Sequence, residues 1–310
     1  MLRDRLRSAA VLIALVAGLM WADSRYSPAG AEGVFLLPLL LLFTLGTAWD
    51  FATLLIGNNR SILRGVAMAG AVIVAMSAAV PMLWSLTDAG YPVNCPVGRL
   101  GWIVIGTIVS VFSALLVEMR AYGRGPSGAI DRSAHTIFVI TYVGLPMALL
   151  VSLRMLGTQW WGLAAVVTTI AVTKASDTGA YFTGKTLGRN KLIPRLSPGK
   201  TREGAVGGIV ASTLVAYLCL RFLMPATGSP TGAPSIAWLT NPVWGAIVLG
   251  PMLAIAGMVG DLAESMVKRD TGAKDSGSLL PGMGGVWDVT DSLIAAALPA
   301  FLAFASGVGW

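Results

Sequence analysis

The sequence predicts an all-α integral membrane protein, a polytopic bundle of about nine transmembrane helices. Of its 310 residues, 55% are hydrophobic and only 12% are charged, whereas soluble domains carry about 25% charged residues. Apolar runs close to the ~20 residues that cross a bilayer recur along the whole chain. Basic residues concentrate in alternate loops, as expected for a multi-pass protein. A soluble core could not bury this much apolar surface, so lipid is the expected solvent.

The apolar runs define the expected spans, whose ends are uncertain by several residues. They lie at 9–22, 34–56, 65–87, 101–119, 134–153, 160–178, 204–224, 243–263 and 291–308. The first follows three arginines like a cleavable signal peptide, but no clear small-x-small site follows it, which favours a retained signal anchor. We expect one integrated membrane domain, with N-terminal helices over 1–160 and the functional region over 161–310.

The net charge of +7 is explained by the positive-inside rule, which places the basic loops on the cytoplasmic side. Those loops lie at 60–64, 120–132 (including Arg124), 185–202 and 268–274, and the segment 226–242 predicts an outside loop. The same charge attracts anionic headgroups or a nucleotide triphosphate, and no nucleic-acid partner is expected. Two cysteines without CxxC spacing and a single histidine indicate neither a disulfide framework nor a zinc site.

The acidic residues are distributed unevenly, since eight of the fifteen follow residue 176. They are Asp177, Glu203, Asp261, Glu264, Asp270, Asp275, Asp288 and Asp291. Several lie inside or at the edge of apolar helices, where an ionised group costs ~3 kcal/mol or more. Membrane proteins keep such groups where they pair, bind ions or line a wet cavity, so this pattern indicates a functional site.

One polar stripe is expected on the helix that ends near residue 270. Asp261, Glu264, Ser265 and Lys268 share a face because they are three, four and seven positions apart. Glu264 and Lys268 at i and i+4 are also compatible with a simple ion pair. Asp261 lies deeper and has no basic neighbour in sequence, which favours an ion or substrate as its partner.

A glycine-rich segment, 271–286, leads into the final span. Glycines allow backbone N–H groups to approach phosphate oxygens, although an ordinary turn would have the same composition. Asp288 and Asp291 follow at i and i+3. Because Mg²⁺ prefers carboxylate oxygens together with substrate phosphates, these acids and those of the preceding helix predict a magnesium site.

Upstream, Asp177 ends a span and is followed by the basic segment SPGKTREG at 197–204. Four basic residues of this region are candidates for polyphosphate contacts or simple topology signals: Lys185, Lys191, Lys200 and Arg202. Lys174 lies three residues before Asp177, which also allows an intramembrane ion pair. Gly204 and Gly208 form a small-xxx-small pair, which predicts close helix packing.

At these residues the chain resembles the phosphatidate cytidylyltransferase (CDP-diacylglycerol synthase) family. That family's C-terminal signature is S-x-x-K-R-x4-K-D-x5-P-G-H-G-G-x-x-D-R-x-D, with D-T/S-G-A-Y-F-x-G-K and S-P-K-K-T-x-E-G-x-x-G-G upstream. The signature matches at Ser265, Lys268, Arg269, Lys274, Asp275, Pro281, Gly282, Gly284, Gly285, Asp288 and Asp291, and the upstream motifs match at 177–185 and 197–208. The resemblance covers residues 174–291, and the N-terminal half matches only as apolar helices.

The resemblance implies Mg²⁺-dependent transfer of a cytidylyl group from CTP to phosphatidate. Our hypothesis, built on this resemblance and on the polar stripe, assigns catalysis to Asp261, Asp288 and Lys268, and metal binding to Asp261, Asp288, Asp291 and Glu264. The residues expected to bind substrate are Ser197, Lys200, Thr201, Glu203, Ser265, Arg269, Lys274, Asp275, Gly284, Gly285 and Asp177. Two positions depart from the family pattern, because its histidine is Met283 here and its arginine is Val289. Met and Val cannot hold a phosphate, so altered nucleotide binding or weakened catalysis stays open.

The expected setting is the inner (plasma) membrane, with a multi-pass topology and the functional loops facing the cytoplasm. The expected partners are CTP, phosphatidate and the lipid bilayer, and a homodimer is compatible with the sequence. One alternative is a related transferase that acts on another lipid phosphate. Another is an ion-coupled transporter, because intramembrane Asp and Lys also mark ion pathways; that class usually shows repeated halves, and the sequence shows no such repeat.

Overall fold

The computed structural model describes residues 2–87, 90–92, 94–122, 128–157, 159–228 and 236–310. Within these residues, seven helices are long and apolar enough to cross a membrane. This confirms the predicted polytopic helical class. Arg124 and residues 229–235 of the predicted outside loop lie outside the described residues. The chain divides into two compact units.

Unit 1 comprises Met1–Ser152 and Lys268–Thr290. Its helices are α1 (Leu2–Tyr26), α2 (Leu37–Gly57), α3 (Arg64–Ser77), α4 (Val80–Trp84), α5 (Gly98–Ala121) and α6 (Ala129–Arg154), with a 3₁₀ turn at Val34–Leu36. Residues 268–290 belong to the C-terminal functional region in sequence, yet they pack with these N-terminal helices.

The prediction of one continuous span at 65–87 is wrong. The chain forms α3 and the short α4 instead of one helix. Pro81 lies in the first turn of α4. In a continuous helix Pro81 would offer no N–H to the carbonyl of Ser77, and its ring would collide with that carbonyl. Helix α3 therefore ends at Ser77.

The start of α2 depends on a buried carboxylate at the end of α1. Asp23 is fully buried, and its Oδ1 accepts hydrogen bonds from the Gly33 amide at 2.9 Å and the Ser27 hydroxyl at 2.8 Å. These bonds fix the connection between the two helices. The rest of α1 packs little within unit 1, because few of its apolar side chains are buried.

Unit 2 comprises Leu153–Val267 and Asp291–Trp310. Its elements are α7 (Gln159–Leu187), β1 (Lys191–Ile193), β2 (Ser197–Thr201), α8 (Arg202–Leu218) with a π-helical turn at Cys219–Leu223, and most of α9 (Pro242–Asp270) and α10 (Trp287–Ala305). The predicted close packing at Gly204 and Gly208 is confirmed. A methyl group at Gly204 would lie 2.8 Å from the Ala180 carbonyl of α7, and one at Gly208 would lie 3.0 Å from the Ser176 carbonyl.

A β-hairpin replaces the basic loop predicted between α7 and α8. Strands β1 and β2 pair antiparallel, with Lys191 opposite Thr201. The Glu203 carboxylate fixes the two residues that precede β1, because it accepts hydrogen bonds from the Arg189 and Asn190 amides at 3.1 and 3.2 Å. Thr201 Oγ1 accepts from the Gly204 amide at 3.1 Å and thereby caps α8. Substrate binding by Thr201 and Glu203 stays a prediction beside these structural roles.

Candidate active site

Three carboxylates converge in unit 2. Asp261 and Glu264 lie on α9 and Asp291 lies on α10, and one oxygen from each lies within 4.8 Å of the others. Glu264 is 2% exposed and Asp291 is 7% exposed. Such a cluster is stable in ionised form only when positive charge compensates it. Hard oxygen ligands of this kind suit Mg²⁺, so the acidic trio, as we name these three residues, has the composition of a magnesium site.

The acidic trio depends on a close approach of α9 to α10. Gly260 faces the backbone carbonyl of Asp291, and a methyl group at this position would overlap that carbonyl. One turn earlier, Gly257 is less crowded, since a methyl there would lie 3.3 Å from Thr173 and 3.5 Å from Ser292. Gly260 therefore sets the distance between the two helices that carry the carboxylates.

We expect Gly260→Ala to destabilise unit 2 by about 1–3 kcal/mol, because overpacking must push α9 from α10. Gly257→Ala is the matched control on the same helix. Its mild crowding is offset by a gain in helix propensity of about 0.5–1 kcal/mol, so it should be nearly neutral. Thermal unfolding in detergent, followed by tryptophan fluorescence, measures both variants, and equal losses would contradict the proposed role of Gly260.

The β-hairpin brings a lysine to the acidic trio. Lys200 Nζ lies 2.7 Å from Asp261 Oδ2, and the two side chains are 23% and 38% exposed. The Ser265 hydroxyl donates to the other Asp261 oxygen at 3.4 Å. A residue predicted to bind phosphate and a residue predicted to bind metal therefore form an ion pair, although they lie far apart in the sequence.

A second cluster of polar side chains in unit 2 links α7 to α10 through hydrogen bonds. The predicted Lys174–Asp177 ion pair is confirmed, with Nζ and Oδ2 3.2 Å apart. Lys174 Nζ also donates to Ser292 Oγ at 2.9 Å, and Ser292 Oγ donates to Asp177 Oδ2 at 3.3 Å. Ser292 follows Asp291 directly, and its amide donates to Asp291 Oδ1 at 2.6 Å. Sequence reasoning missed Ser292, because a serine inside an apolar helix carries no distinctive signal.

Asp288 belongs to unit 1, where both of its oxygens accept hydrogen bonds. Oδ1 accepts from Lys268 Nζ at 2.8 Å. Oδ2 accepts from the Ser276 amide at 2.8 Å, the Ser276 hydroxyl at 2.7 Å and the Gly285 amide at 2.8 Å. Asp288 therefore organises the glycine-rich segment around itself. Its role as a metal ligand stays a prediction.

The glycine-rich turn has a specific backbone geometry. Gly282 and Gly284 have φ angles of 77° and 97°, which favour glycine strongly. The Leu280 amide donates to the Gly284 carbonyl, and the Met283 amide donates to the Leu280 carbonyl, both at 2.9 Å. A methyl group at Gly284 would overlap the Asp288 carboxylate. The turn therefore uses the backbone of Met283 and does not depend on a histidine there.

The remaining predicted residues of this region are more exposed. Arg269 donates to the Ala273 carbonyl at 3.3 Å, across the end of α9. Lys274 and Asp275 are exposed, and Ser197 is half-buried opposite Ile193 in the hairpin. Their predicted contacts with substrate remain predictions.

Sequence reasoning also missed Asp50 on α2. This aspartate is 3% exposed, and its Oδ2 accepts from the Trp287 amide at 3.1 Å. An acid inside an apolar span is the signal that singled out the C-terminal acids, and it applies equally to Asp50. Unlike those acids, however, Asp50 has no second acidic residue and no recognisable motif beside it in the sequence.

Comparison with known proteins agrees with a site that combines carboxylates and lysines. A sequence model of the cytidylyltransferase family matches residues 3–306. The chain belongs to the cytidylyltransferase family. The phosphatidate cytidylyltransferase of Brucella suis biovar 1 is 39% identical over 200 residues, which cover 64% of each chain. That of Bacillus subtilis is 36% identical over 186 residues, covering 60% of this chain and 63% of the relative.

A third cytidylyltransferase relative comes from Synechocystis. Its phosphatidate cytidylyltransferase is 42% identical over 133 residues, which cover 43% of this chain and 40% of the relative. The aligned part of this chain spans about 64% of the length of the Brucella relative. Family membership is therefore shown over nearly the whole chain, whereas similarity to these individual relatives covers about two thirds of it or less.

Proposed function

We propose that this cytidylyltransferase-family chain transfers a cytidylyl group from CTP to phosphatidate, yielding CDP-diacylglycerol and pyrophosphate. The observation that carries the proposal is the acidic trio with Lys200 beside it. This arrangement combines carboxylates for a divalent cation with a cation for phosphate, and it is built on apolar helices that suit a lipid substrate. Three relatives with similar sequences are named phosphatidate cytidylyltransferase.

We assign Mg²⁺ to the acidic trio. The trio offers only carboxylate oxygens, which are the ligands that Mg²⁺ prefers, and substrate phosphates commonly complete its coordination. When bound, the ion would neutralise the charge that develops on the reacting phosphates. Asp261, Glu264 and Asp291 would hold it, and Gly260 would keep their two helices at the required separation.

The reaction joins two anions. A phosphate oxygen of phosphatidate forms a bond to the α-phosphorus of CTP, and the bond from that phosphorus to the bridging oxygen of the β-phosphate breaks. The electron pair leaves with pyrophosphate. The lipid phosphate is already ionised at neutral pH, so no strong protein base is required. The main contribution of the protein is to position the reactants and to compensate their charge.

Lysines supply the protein's own part of that compensation. The Lys200 ammonium lies at the acidic trio on a hairpin, where it can exchange its Asp261 partner for a substrate phosphate. Lys268 is oriented by Asp288 at 2.8 Å, and Lys174 is oriented by Asp177 and Ser292. Each ammonium is therefore held by a carboxylate before any substrate arrives, which reduces the reorganisation needed during the reaction.

We further propose that the protein resides in the plasma (inner) membrane with the hairpin and the glycine-rich segment on the cytoplasmic side. Exposed basic residues cluster in the hairpin region, at Lys185, Arg189, Lys191, Arg195 and Arg202. The positive-inside rule places such clusters in the cytoplasm, where CTP is available. The departure at Met283 leaves the fold of the turn intact, because that turn is built from backbone bonds.

Purified protein in mixed micelles with radiolabelled CTP, phosphatidate and Mg²⁺ tests the proposal. We expect CDP-diacylglycerol and an equal amount of pyrophosphate, and no product without divalent cation. Lys200→Met should reduce the rate roughly 10²-fold by removing one preorganised positive charge, whereas Lys200→Arg should retain part of it. Product from another lipid phosphate, with none from phosphatidate, would overturn the assigned substrate.

A further inference from the structure

The α2 helix carries a buried carboxylate in an otherwise apolar sequence. Asp50 lies between Trp49 and Phe51, within the candidate membrane span Val34–Gly57, and is 3% exposed. A carboxylate at such a position is costly unless hydrogen-bond donors satisfy it. Asp50 therefore requires a specific hydrogen-bond donor. Asp50 is not part of the family's C-terminal signature, which begins at Ser265.

Its partners are the glycine-rich segment and the first residue of α10, in the same unit. The Trp287 amide donates to Asp50 Oδ2 at 3.1 Å. Gly277 and Gly285 both lie against the Asp50 carboxylate, and a methyl group on either would overlap one of its oxygens. The composition of this segment is that of a phosphate-binding loop. Two of its glycines, however, are needed because any side chain there would collide with the Asp50 carboxylate of α2.

Neighbouring residues of α2 extend this contact. The Phe51 ring stacks on Trp287 with centroids 4.2 Å apart and an interplanar angle of 21°. Thr47 and Thr290 form a hydroxyl–hydroxyl hydrogen bond of 2.9 Å. One face of α2 therefore holds both the end of the glycine-rich segment and the first turn of α10.

Asp50 and Asp288 act on the same stretch of backbone. Gly285 lies against Asp50, while its amide donates to Asp288 Oδ2 at 2.8 Å. Ser276 donates to the same Asp288 oxygen from its amide and its hydroxyl. Asp288 in turn holds Lys268. A displacement of the segment from Asp50 would therefore be transmitted to the Asp288–Lys268 pair.

We propose that Asp50 is a positioning residue for cytidylyl transfer. It fixes residues 276–288, which are most of the glycine-rich segment and the start of α10, so that Asp288 and Lys268 are held in place for the substrate phosphates. This inference rests on the proposed function for its catalytic consequence. Its structural part, the ordering of the segment by Asp50, stands independently. The N-terminal half of the chain then takes part in the chemistry through α2.

Hydrogen exchange and kinetics on the full-length protein in detergent test the inference. In Asp50→Asn, the amides of 275–287 should exchange at least roughly tenfold faster, because the substitution removes the negative charge that strengthens the bond from the Trp287 amide. The value of kcat for transfer should fall roughly 10²-fold, as expected when reacting groups are misplaced by about 1 Å. Asp50→Glu should not restore it, since Gly277 and Gly285 leave no room for a longer side chain.

The matched control is Asp23→Asn. Asp23 is also buried in unit 1 and also accepts a backbone amide bond, from Gly33, but it lies in the α1–α2 connection. This control should leave exchange in 275–287 unchanged. Gly285→Ala displaces the segment from the opposite side and should reproduce the Asp50→Asn exchange pattern.

Unchanged exchange of 275–287 in Asp50→Asn would overturn the inference, as would an equal increase in Asp23→Asn, which would indicate general destabilisation. Faster exchange with unchanged kcat would also overturn it. A wild-type protein without cytidylyl transfer would instead contradict the proposed function, and the exchange comparison would still decide whether Asp50 orders the segment.

Discussion

Asp291→Asn should lower the rate of cytidylyl transfer roughly 10³-fold, equivalent to about 4 kcal/mol of transition-state stabilisation. Asp291 is 7% exposed and contributes one of the three converging oxygens of the acidic trio. The amide keeps the size of the side chain but removes its charge. Pyrophosphate release measured over a range of Mg²⁺ concentrations should show a higher half-saturating concentration as well as a lower maximum.

Asp270→Asn is the control for that experiment. Asp270 lies at the end of α9, where it forms an exposed ion pair of 3.1 Å with Arg60. Exposed pairs contribute about 0–1 kcal/mol, so this variant should retain wild-type Mg²⁺ dependence. If Asp291→Asn responds to Mg²⁺ like the wild type, the acidic trio does not hold the ion.

Asp288→Asn should reduce turnover at least roughly 10²-fold, because it releases Lys268 and disturbs the glycine-rich turn. An asparagine places an NH₂ group toward the donors of Ser276 and Gly285 or toward Lys268, so at least one present hydrogen bond becomes a donor–donor contact. The contacts of Asp288 in unit 1 lead us to expect an unchanged half-saturating Mg²⁺ concentration. Asp131→Asn, which alters an exposed acid of α6, should retain full activity.

The Mg²⁺ titration separates two explanations for that loss. If Asp288 orders the glycine-rich segment, only the maximal rate falls. A clear rise in the half-saturating concentration would instead support the prediction from sequence that Asp288 is itself a ligand. Full activity of Asp288→Asn would contradict both roles.

The helical class was predictable because apolar composition and run length report directly on the bilayer as solvent. The break between α3 and α4 was not predicted, although Pro81 is visible in the sequence. A hydropathy average reports how apolar a segment is and does not register that a proline lacks the backbone N–H that a continuous helix needs. The hairpin at 191–201 was also missed. Its approach is held by the Glu203 carboxylate, and a side chain that satisfies distant amides leaves no periodic pattern.

The acidic trio was predictable in part. Asp261 and Glu264 share a helix face by spacing alone, whereas Asp291 lies on another helix and was grouped with them as part of a predicted magnesium site. The proximity of Lys200 depends on how the hairpin folds back, which local sequence does not encode. The close approach at Gly260 is equally invisible, since a glycine in a membrane helix has many ordinary explanations.

The pairing of Lys200 with Asp261 has a consequence for biosynthesis. Lys200 precedes Asp261 and Asp291 in the chain, so ribosomes complete the cationic partner before either acid is made. A carboxylate that enters lipid alone is strongly disfavoured, but here a neutralising ammonium already exists on the nascent chain. We therefore expect the order of synthesis to ease the insertion of α9, which carries the Asp261 carboxylate that Lys200 pairs with.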